Sequence, residues 1–523
     1  MGERAEDQRA GDPQAEVFAF LERPQTHGGA AVTRIDTHAA CVFLAGERAY
    51  KVKRAVRFPF LDFSTLEKRR AACAAELEVN RANAPALYLG LVPITRTAQG
   101  LALGGTGEVV EWAVEMCRFD ETQTLDRLDP QALDDALLSA LATRILESHA
   151  RAPLRQGAEW TDAFVREARA TLAALQRAPD ILPDAASYGA MLEALLGACG
   201  PVLRRRGAAG AVRRCHGDLH LRNIALVDGA PLLFDAIEFN PALATCDLLY
   251  DLAFLLMDLW HRGLHGPANR VMNRYLWGTP DAEATLEGMS ALPLFVSLRA
   301  AIRAKVALDL AHVRPQEAEQ AQADARAYLA TAQAALAAKG PPLLVAVGGL
   351  SGTGKSSLAA RLAPGIGGPP GAVHLRSDIE RKRLFGSAER DRLPADAYGA
   401  DATARTYERL RGQTLEALRA GRSVVVDAVH ARPEERAALA TLADAVGARF
   451  TAVWLDAPLD VLRARVAARR DDASDATVTV VENQAGYDVG PMTWTRLDAA
   501  LPLDALANRA EGLIKQESDL SQA

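Results

Sequence analysis

Apolar and polar positions change rhythm along the chain. Between residues 30 and 118 apolar runs are short and alternate with polar residues. "CVFLAGERAYKVKR" (41–54) predicts two strands around a Gly-containing turn. One helical insert breaks this stretch, "STLEKRRAACAAELEVNRAN" (64–83), with Ser64 as N-cap and Glu67 completing a capping box. "EVVEWAVEMCRF" (108–119) returns to strand, single or paired. From 131 to about 339 the pattern turns helical and rich in Ala, Leu and Arg, and a loop region at 215–240 interrupts it. "RAYLATAQAALAAKG" (326–340) ends at Gly340, and Pro341-Pro342 stops the helix, so a domain boundary is expected there. Beyond it, the apolar run "LLVAVGG", residues 372–376, "SVVVDA" (423–428) and "FTAVWLDA" (450–457) alternate with helical stretches. That alternation predicts a parallel sheet with helices on both faces.

Composition narrows the picture. A chain of 523 residues accommodates two to four domains, and 49% apolar residues suffice for sizeable cores. A net charge of −6 argues against a general nucleic-acid coat. The six cysteines form no C-x-x-C pair, which suits a reduced, cytoplasmic protein. Residues 1–14 are expected to be disordered and 511–523 a flexible tail; the polar N-terminus resembles no signal or transit peptide. Apolar runs such as "DLAFLLMDLW" (251–260) are short and carry acids, so no membrane span is expected. Oligomeric state is left open.

Residues 349–356, Gly349, Leu350, Ser351, Gly352, Thr353, Gly354, Lys355 and Ser356, fit G-x-x-x-x-G-K-[ST] between an apolar strand and a helix, with Ser357 following. Glycines there let backbone N–H groups converge on phosphate, and the helix N-terminus adds its positive end. Lys355 is then placed for the β/γ-phosphates and the Ser356 hydroxyl for Mg²⁺. Asp378 ends the second strand, where it either accepts the proton of an acceptor hydroxyl or caps the next helix. Asp427 ends "SVVVDA" and suits Mg²⁺ held through water. His430, on the loop after it, is expected at the surface. Arg465 and Arg469 share one helix face, either as a phosphoryl clamp or as a solvated basic face. Residues 341–510 resemble the small P-loop kinases that include gluconate kinases, polynucleotide 5′-kinases and chloramphenicol phosphotransferases. The resemblance rests on "GLSGTGKSS", "RSDIERKRLFG", "VVVDAVHARPEER" and "RVAARRDDASDA" and implies phosphoryl transfer from ATP to a hydroxyl.

A second set carries different chemistry. "CHGDLHLRN" (215–223) places Asp218 and Asn223 five residues apart on an irregular loop. "IALVDGAPLLFDAIEF" then reads as strand, Asp-Gly turn and strand, which would return Asp235 to the mouth of the loop. Lys51 and Lys53 share one strand face, and Glu76 or Glu78 on the 64–83 helix can pair with either. Lysine, helix glutamate, loop aspartate, asparagine and hairpin-end aspartate are the parts of a phosphotransfer site that lacks a P-loop. His216 is expected to hold the loop by hydrogen bonds rather than to bind zinc.

Residues 30–338 resemble the aminoglycoside phosphotransferase-like family, which shares the protein-kinase-like fold. His216 through Asn223 matches its catalytic loop, "LFDAIEF" its metal segment and "YDLAFLL" (250–256) the following helix. The resemblance implies Asp218 as catalytic base, Asn223 and Asp235 as Mg²⁺ ligands, and Lys51, with Lys53 as the alternative, for the nucleotide. It implies a bilobal α+β kinase-like domain over 15–338, with a small lobe at about 15–120 and a helical large lobe at about 121–338. An α/β P-loop NTPase domain follows over 341–510. The whole chain is similar to bacterial proteins that fuse two kinases, and implies a bifunctional ATP- and Mg²⁺-dependent kinase acting on small-molecule hydroxyl acceptors. The alternative is that only the P-loop domain turns over and the first is a nucleotide-binding regulator. Glu238, Asp247, Asp251 and Asp258 could favour a cationic acceptor. Arg376, Arg381, Lys382 and Arg383 could meet nucleic-acid phosphates.

Overall fold

The structure, a computed structural model, describes residues 13–58, 61–337, 340–468 and 473–520. The chain divides into two compact units, Met1–Gln156 with Gly210–Leu255, and Gly157–Ala209 with Leu256–Ala523.

The first unit holds an antiparallel sheet of β1 (Val32–Asp36), β2 (Ala40–Ala45), β3 (Arg48–Lys53), β4 (Tyr88–Thr97), β5 (Gly100–Leu103) and β6 (Glu108–Cys117), in the order β1-β2-β3-β6-β4-β5. Helix α1 (Ala15–Leu21) packs Val17, Phe18 and Leu21 against Phe43, Val52 and Ile94 on one face. Order already holds at Gln14, against the disorder expected through 14: its buried amide donates to Lys53 O at 2.8 Å and to Glu111 at 2.6 Å. Residues 1–12 lie outside the described residues.

Helix α2 (Leu66–Arg81) covers the other face of the sheet through Cys73, which packs with Tyr88 and Val114. Its N-cap is Thr65, whose hydroxyl accepts the Lys68 N–H at 3.3 Å, and not Ser64. The Ser64 hydroxyl is turned away by Asp62, 2.6 Å from it.

In the second unit α3 (Gly157–Gln176) and α4 (Ala185–Ala208) pack together. Among the described helices α4 alone has the length and apolarity of a membrane span. It behaves as a core helix: Tyr188 is fully buried with its hydroxyl 3.1 Å from Ser297, and Arg206 donates to Ala284 O at 2.9 Å.

The same unit carries a parallel sheet of β7 (Leu343–Gly349), β8 (Val373–Arg376), β9 (Val424–Asp427), β10 (Arg449–Asp456) and β11 (Thr495–Asp498), in the order β8-β9-β7-β10-β11. Leu343, Val345 and Val347 of β7 join a core with Leu358 and Leu362 of α6 (Lys355–Leu362) and with Leu506, Ala507 and Ala510 of α10 (Leu503–Leu520). Helix α10 runs on to Leu520, and Leu513 and Ile514 pack on this core. Residues 511–520 are therefore helix rather than a flexible tail, because the apolar spacing 506/507/510/513/514 keeps one face buried.

The expected boundary at Gly340 does not separate the compact units, since 256–337 clusters with the parallel sheet. The reason lies in α5 (His265–Gly278), whose Asn269, Asn273 and Trp277 side chains bond directly to the β8 edge.

Candidate active sites

In the first unit the strand β3 pleat sends Lys51 and Lys53 to one face, where both meet Glu76 of α2. Lys51 Nζ lies 2.7 Å from Glu76 and 2.6 Å from Asp235; Lys53 Nζ lies 2.5 Å from the other Glu76 oxygen and also pairs with Glu238. Glu76 is fully buried and Glu78 exposed, which decides between them. Helical periodicity carried that signal, since Cys73, Glu76 and Asn80 form one buried stripe. Burial opposes the charge on Glu76, but the two lysines outweigh it and hold its carboxyl down at about 2. Burial also opposes the charge on Lys51, and Asp235 and Glu76 hold its pKa well above the usual lysine range. Glu238 is pushed up by burial, with Glu76 competing for Lys53.

The loop at 215–223 is fixed from below. The Asp251 carboxylate accepts the Gly217 N–H at 2.8 Å and lies 3.2 Å from His149 Nε2. His216 bonds Phe234 O at 2.9 Å through Nε2, and burial lowers its pKa, so it is a neutral strut as expected. Asn223 Nδ2 donates to Asp218 at both its backbone oxygen and Oδ2, each at 2.9 Å. His220 Nε2 lies 3.3 Å from the same carboxylate.

The Asp228-Gly229 turn, with both φ angles positive, closes the hairpin Ile224–Val227/Ala230–Leu233. Phe234 N–H then bonds Asn223 O at 3.0 Å, and Asp235 follows with φ +59°, its N–H on the Tyr88 hydroxyl at 3.1 Å. A left-handed aspartate is strained backbone held by its surroundings. Lys51, Asp218 and Asp235 line one cavity of about 370 Å³ whose inner wall includes Val42, Met116 and Phe119.

The acids offered above to a cationic acceptor are committed internally. Glu238 pairs with Lys53, Asp247 accepts the Leu249 N–H at 2.8 Å, Asp251 holds the loop and Asp258 pairs with Arg262 at 3.0 Å.

In the second unit residues 349–354 turn from β7 into α6. Gly349 and Gly352 have φ +140° and +89°, and a Cβ on Gly352 would lie 2.9 Å from Leu462 O. Helix α8 (Leu459–Ala468) thus packs directly on the loop, and α9 (Val478–Ala485) adds Gln484, which accepts the Ser351 N–H at 2.8 Å. Leu350 packs beside Leu462, Val466 and Val481. Lys355 Nζ donates to Leu350 O at 3.0 Å, and Ser356 is the second residue of α6.

Asp378 stands in the first turn of α7 (Ser377–Leu384); Arg376, not Asp378, occupies the N-cap position, so the capping expectation fails. Asp427 is buried, with Oδ2 3.6 Å from both His374 Nε2 and Arg376 Nε and accepting no hydrogen bond. Burial opposes its charge, yet His374 and Arg376 draw its carboxyl down to about 2. His430 is no surface residue. It is 1% exposed, between Tyr407 and Trp494, with neither ring nitrogen hydrogen-bonded, and burial lowers its pKa to about 3. Nothing local marked it for burial; the contacts come from residues 23 before and 64 after it.

Arg465 projects from the exposed side of α8 and makes no hydrogen bond or ion pair among the described residues. Arg469 lies outside the described residues. The basic cluster does not face outward. Arg376 lies at Asp427; Arg381 donates to Ala397 O at 2.6 Å, Lys382 to Asp475 at 2.9 Å and Arg383 to Thr279 O at 2.7 Å. Asp475, in the acidic turn that closes "RVAARRDDASDA" and singled out by no role there, also accepts from Leu393 N–H and the Tyr398 hydroxyl.

Comparison with known proteins fits this division of chemistry. Residues 45–288 match the phosphotransferase enzyme family model (APH), and residues 344–487 an AAA domain model (AAA_33). The uncharacterized protein Rv2004c of Mycobacterium tuberculosis is 30% identical over 488 residues, 91% of this chain and 94% of its own. The uncharacterized protein Mb2027c of Mycobacterium bovis matches to the same extent. This chain belongs to their family. It joins a kinase-like APH domain to a P-loop kinase domain, and it is a phosphotransferase. Among solved structures, a choline/ethanolamine kinase family protein from Mesorhizobium loti is 14% identical, covering 62% of this chain and 99% of its own, with TM-score 0.35. The APS kinase CysC of Mycobacterium tuberculosis, in complex with AMPPNP and APS, is 26% identical, covering 34% and 98%, with TM-score 0.25.

Proposed function

We propose that each domain transfers the γ-phosphate of ATP to a hydroxyl group of a small-molecule acceptor, in the cytoplasm, where the six free cysteines stay reduced. The observation that carries the first site is the convergence of Lys51, Asp218 and Asp235 on one cavity. Lys51, held charged by Glu76, binds phosphate oxygens. Asp218 orients the acceptor hydroxyl and takes its proton, with Asn223 and His220 fixing the carboxylate.

Mg²⁺ fits both sites by donor chemistry. Asn223 uses its amide nitrogen on Asp218, which leaves the amide oxygen as the donor type Mg²⁺ takes, and Asp235 follows Phe234, whose N–H bonds Asn223 O; Asp427 has a buried carboxylate oxygen with no hydrogen bond. Asn223 and Asp235 would hold the ion in the first site, Ser356 and Asp427 in the second. When bound, the ion neutralises phosphate charge. At the second site Lys355 and the loop N–H groups not already bonded within the fold, those of Gly352 and Gly354 among them, bind the phosphates, Asp378 positions the acceptor hydroxyl, and Arg465, with Arg469, closes over the transferring group. The inward-facing basic cluster favours small acceptors over nucleic acid.

The test uses the full chain with labelled ATP and a panel of hydroxyl acceptors. Asp218→Asn should abolish one set of products and Lys355→Ala another. If Lys355→Ala removes all transfer while the first domain still binds nucleotide, that domain is a regulator.

A further inference from the structure

Strand β8 is the outer strand of the parallel sheet and bonds to β9 on one side only. Its other side is completed by side chains of α5. Asn269 Nδ2 donates to Ala372 O at 2.9 Å; Asn273 Oδ1 accepts the His374 N–H at 2.7 Å and its Nδ2 donates to Ala372 O at 3.2 Å; Trp277 Nε1 donates to His374 O at 2.8 Å. The three residues are four apart. Four helical residues rise roughly 6 Å and two strand residues roughly 6.6 Å, so one helix face can address alternate peptide groups of an edge strand. Amides and an indole N–H thereby take the place of a sixth strand, which is how an exposed edge is closed.

The contact continues to the chemistry. The Trp277 ring meets the His374 ring at 5.5 Å, edge to face, and the Arg376 guanidinium lies 5.5 Å over it. His374 and Arg376 are the two groups that flank the Asp427 carboxylate, each at 3.6 Å. We infer that Trp277 is a positioning residue of the P-loop kinase: through His374 and Arg376 it sets the orientation of Asp427, although it lies within the residues that match the phosphotransferase model. The second kinase is thus built from two separate stretches of chain, 265–278 and 343 onward. This rests on the reading of 349–357 and Asp427 as a Mg²⁺-nucleotide site.

The experiment measures binding of a non-hydrolysable ATP analogue to the full chain, with Mg²⁺ and with chelator. The second-site component is the part that Lys355→Ala removes. Trp277→Ala should weaken that component about tenfold in Mg²⁺ and leave it unchanged in chelator, because the Gly-rich loop and Lys355 are intact. Asp427→Asn should do the same, and the double variant should add nothing further. Without nucleotide, amide hydrogen exchange at 424–427 should quicken in Trp277→Ala. Trp277→Phe keeps an aromatic ring beside Arg376 but loses the N–H and one of the two fused rings, so it should show an effect between those of the native chain and Trp277→Ala; it also serves if Trp277→Ala fails to fold. Native Mg²⁺-dependent affinity in folded Trp277→Ala, beside a loss in Asp427→Asn, overturns the inference and leaves the site reading standing. Native binding in Asp427→Asn and Lys355→Ala alike overturns the site reading, and the inference with it.

Discussion

The two nucleotide sites solve one problem by opposite means. The first is made of side chains: two lysines, two glutamates and an aspartate drawn from positions 51 to 238, paired with one another, with Glu76, Lys53 and Glu238 buried and Asp235 reaching solvent. The second is made chiefly of backbone, a short Gly-rich turn capped by helices that press on it. A site of the first kind is vulnerable to losing a charge, because each buried ion depends on its partners. A site of the second kind is vulnerable to gaining an atom.

The largest expected effect follows from removing the shared carboxylate. Glu76→Ala leaves Lys51 and Lys53 buried with only Asp235 and Glu238, and should destabilise the first unit by roughly 3–5 kcal/mol, read by chemical denaturation. A loss under about 1 kcal/mol would mean that water already screens the network, and the contrast would fail.

The second region answers to acid through an uncompensated group. His430 has an ordinary pKa of 6.5 and is lowered to about 3 by burial. The unfolded chain therefore binds the proton first. Stability is complete above pH 6.5 and falls as pH drops from 6.5 towards 3, by on the order of 4 kcal/mol at the end of that window. His430→Phe, which keeps ring contacts with Tyr407 and Trp494, should flatten the stability profile over this range. An unchanged slope would assign the acid sensitivity elsewhere.

The smallest of the three is the added methyl. Gly352→Ala places a Cβ 2.9 Å from Leu462 O at φ +89°, costing roughly 1–3 kcal/mol. Calorimetry should show weakened nucleotide binding at the second site, with first-site turnover intact. Unimpaired binding would show that α8 can retreat.

Legibility in the sequence tracks the same contrast. The Gly-rich loop is contiguous, so strand, turn and helix could be placed from nine residues. The 215–235 segment was also readable, because its hairpin is local and the Asp228-Gly229 turn dictates where Asp235 returns. Glu76 stood undecided from Glu78 until the face of α2 was known. The internal commitments of Asp251, Lys382 and Arg383 depend on partners tens to a hundred residues away, which no window along the chain contains. The Gly340-Pro341-Pro342 stop follows a true end of helix; the end of a helix and a break in packing are different things.

The α5 ladder bears on how such genes can be cut and shuffled. A fragment opening at residue 341 would expose one flank of its outermost strand, with the Ala372 and His374 carbonyls and the His374 N–H open to whatever chain drifts past. Recombination at that seemingly natural joint would deliver a sticky, self-associating piece. A clean exchange would have to carry the codons for 265–278 along with it.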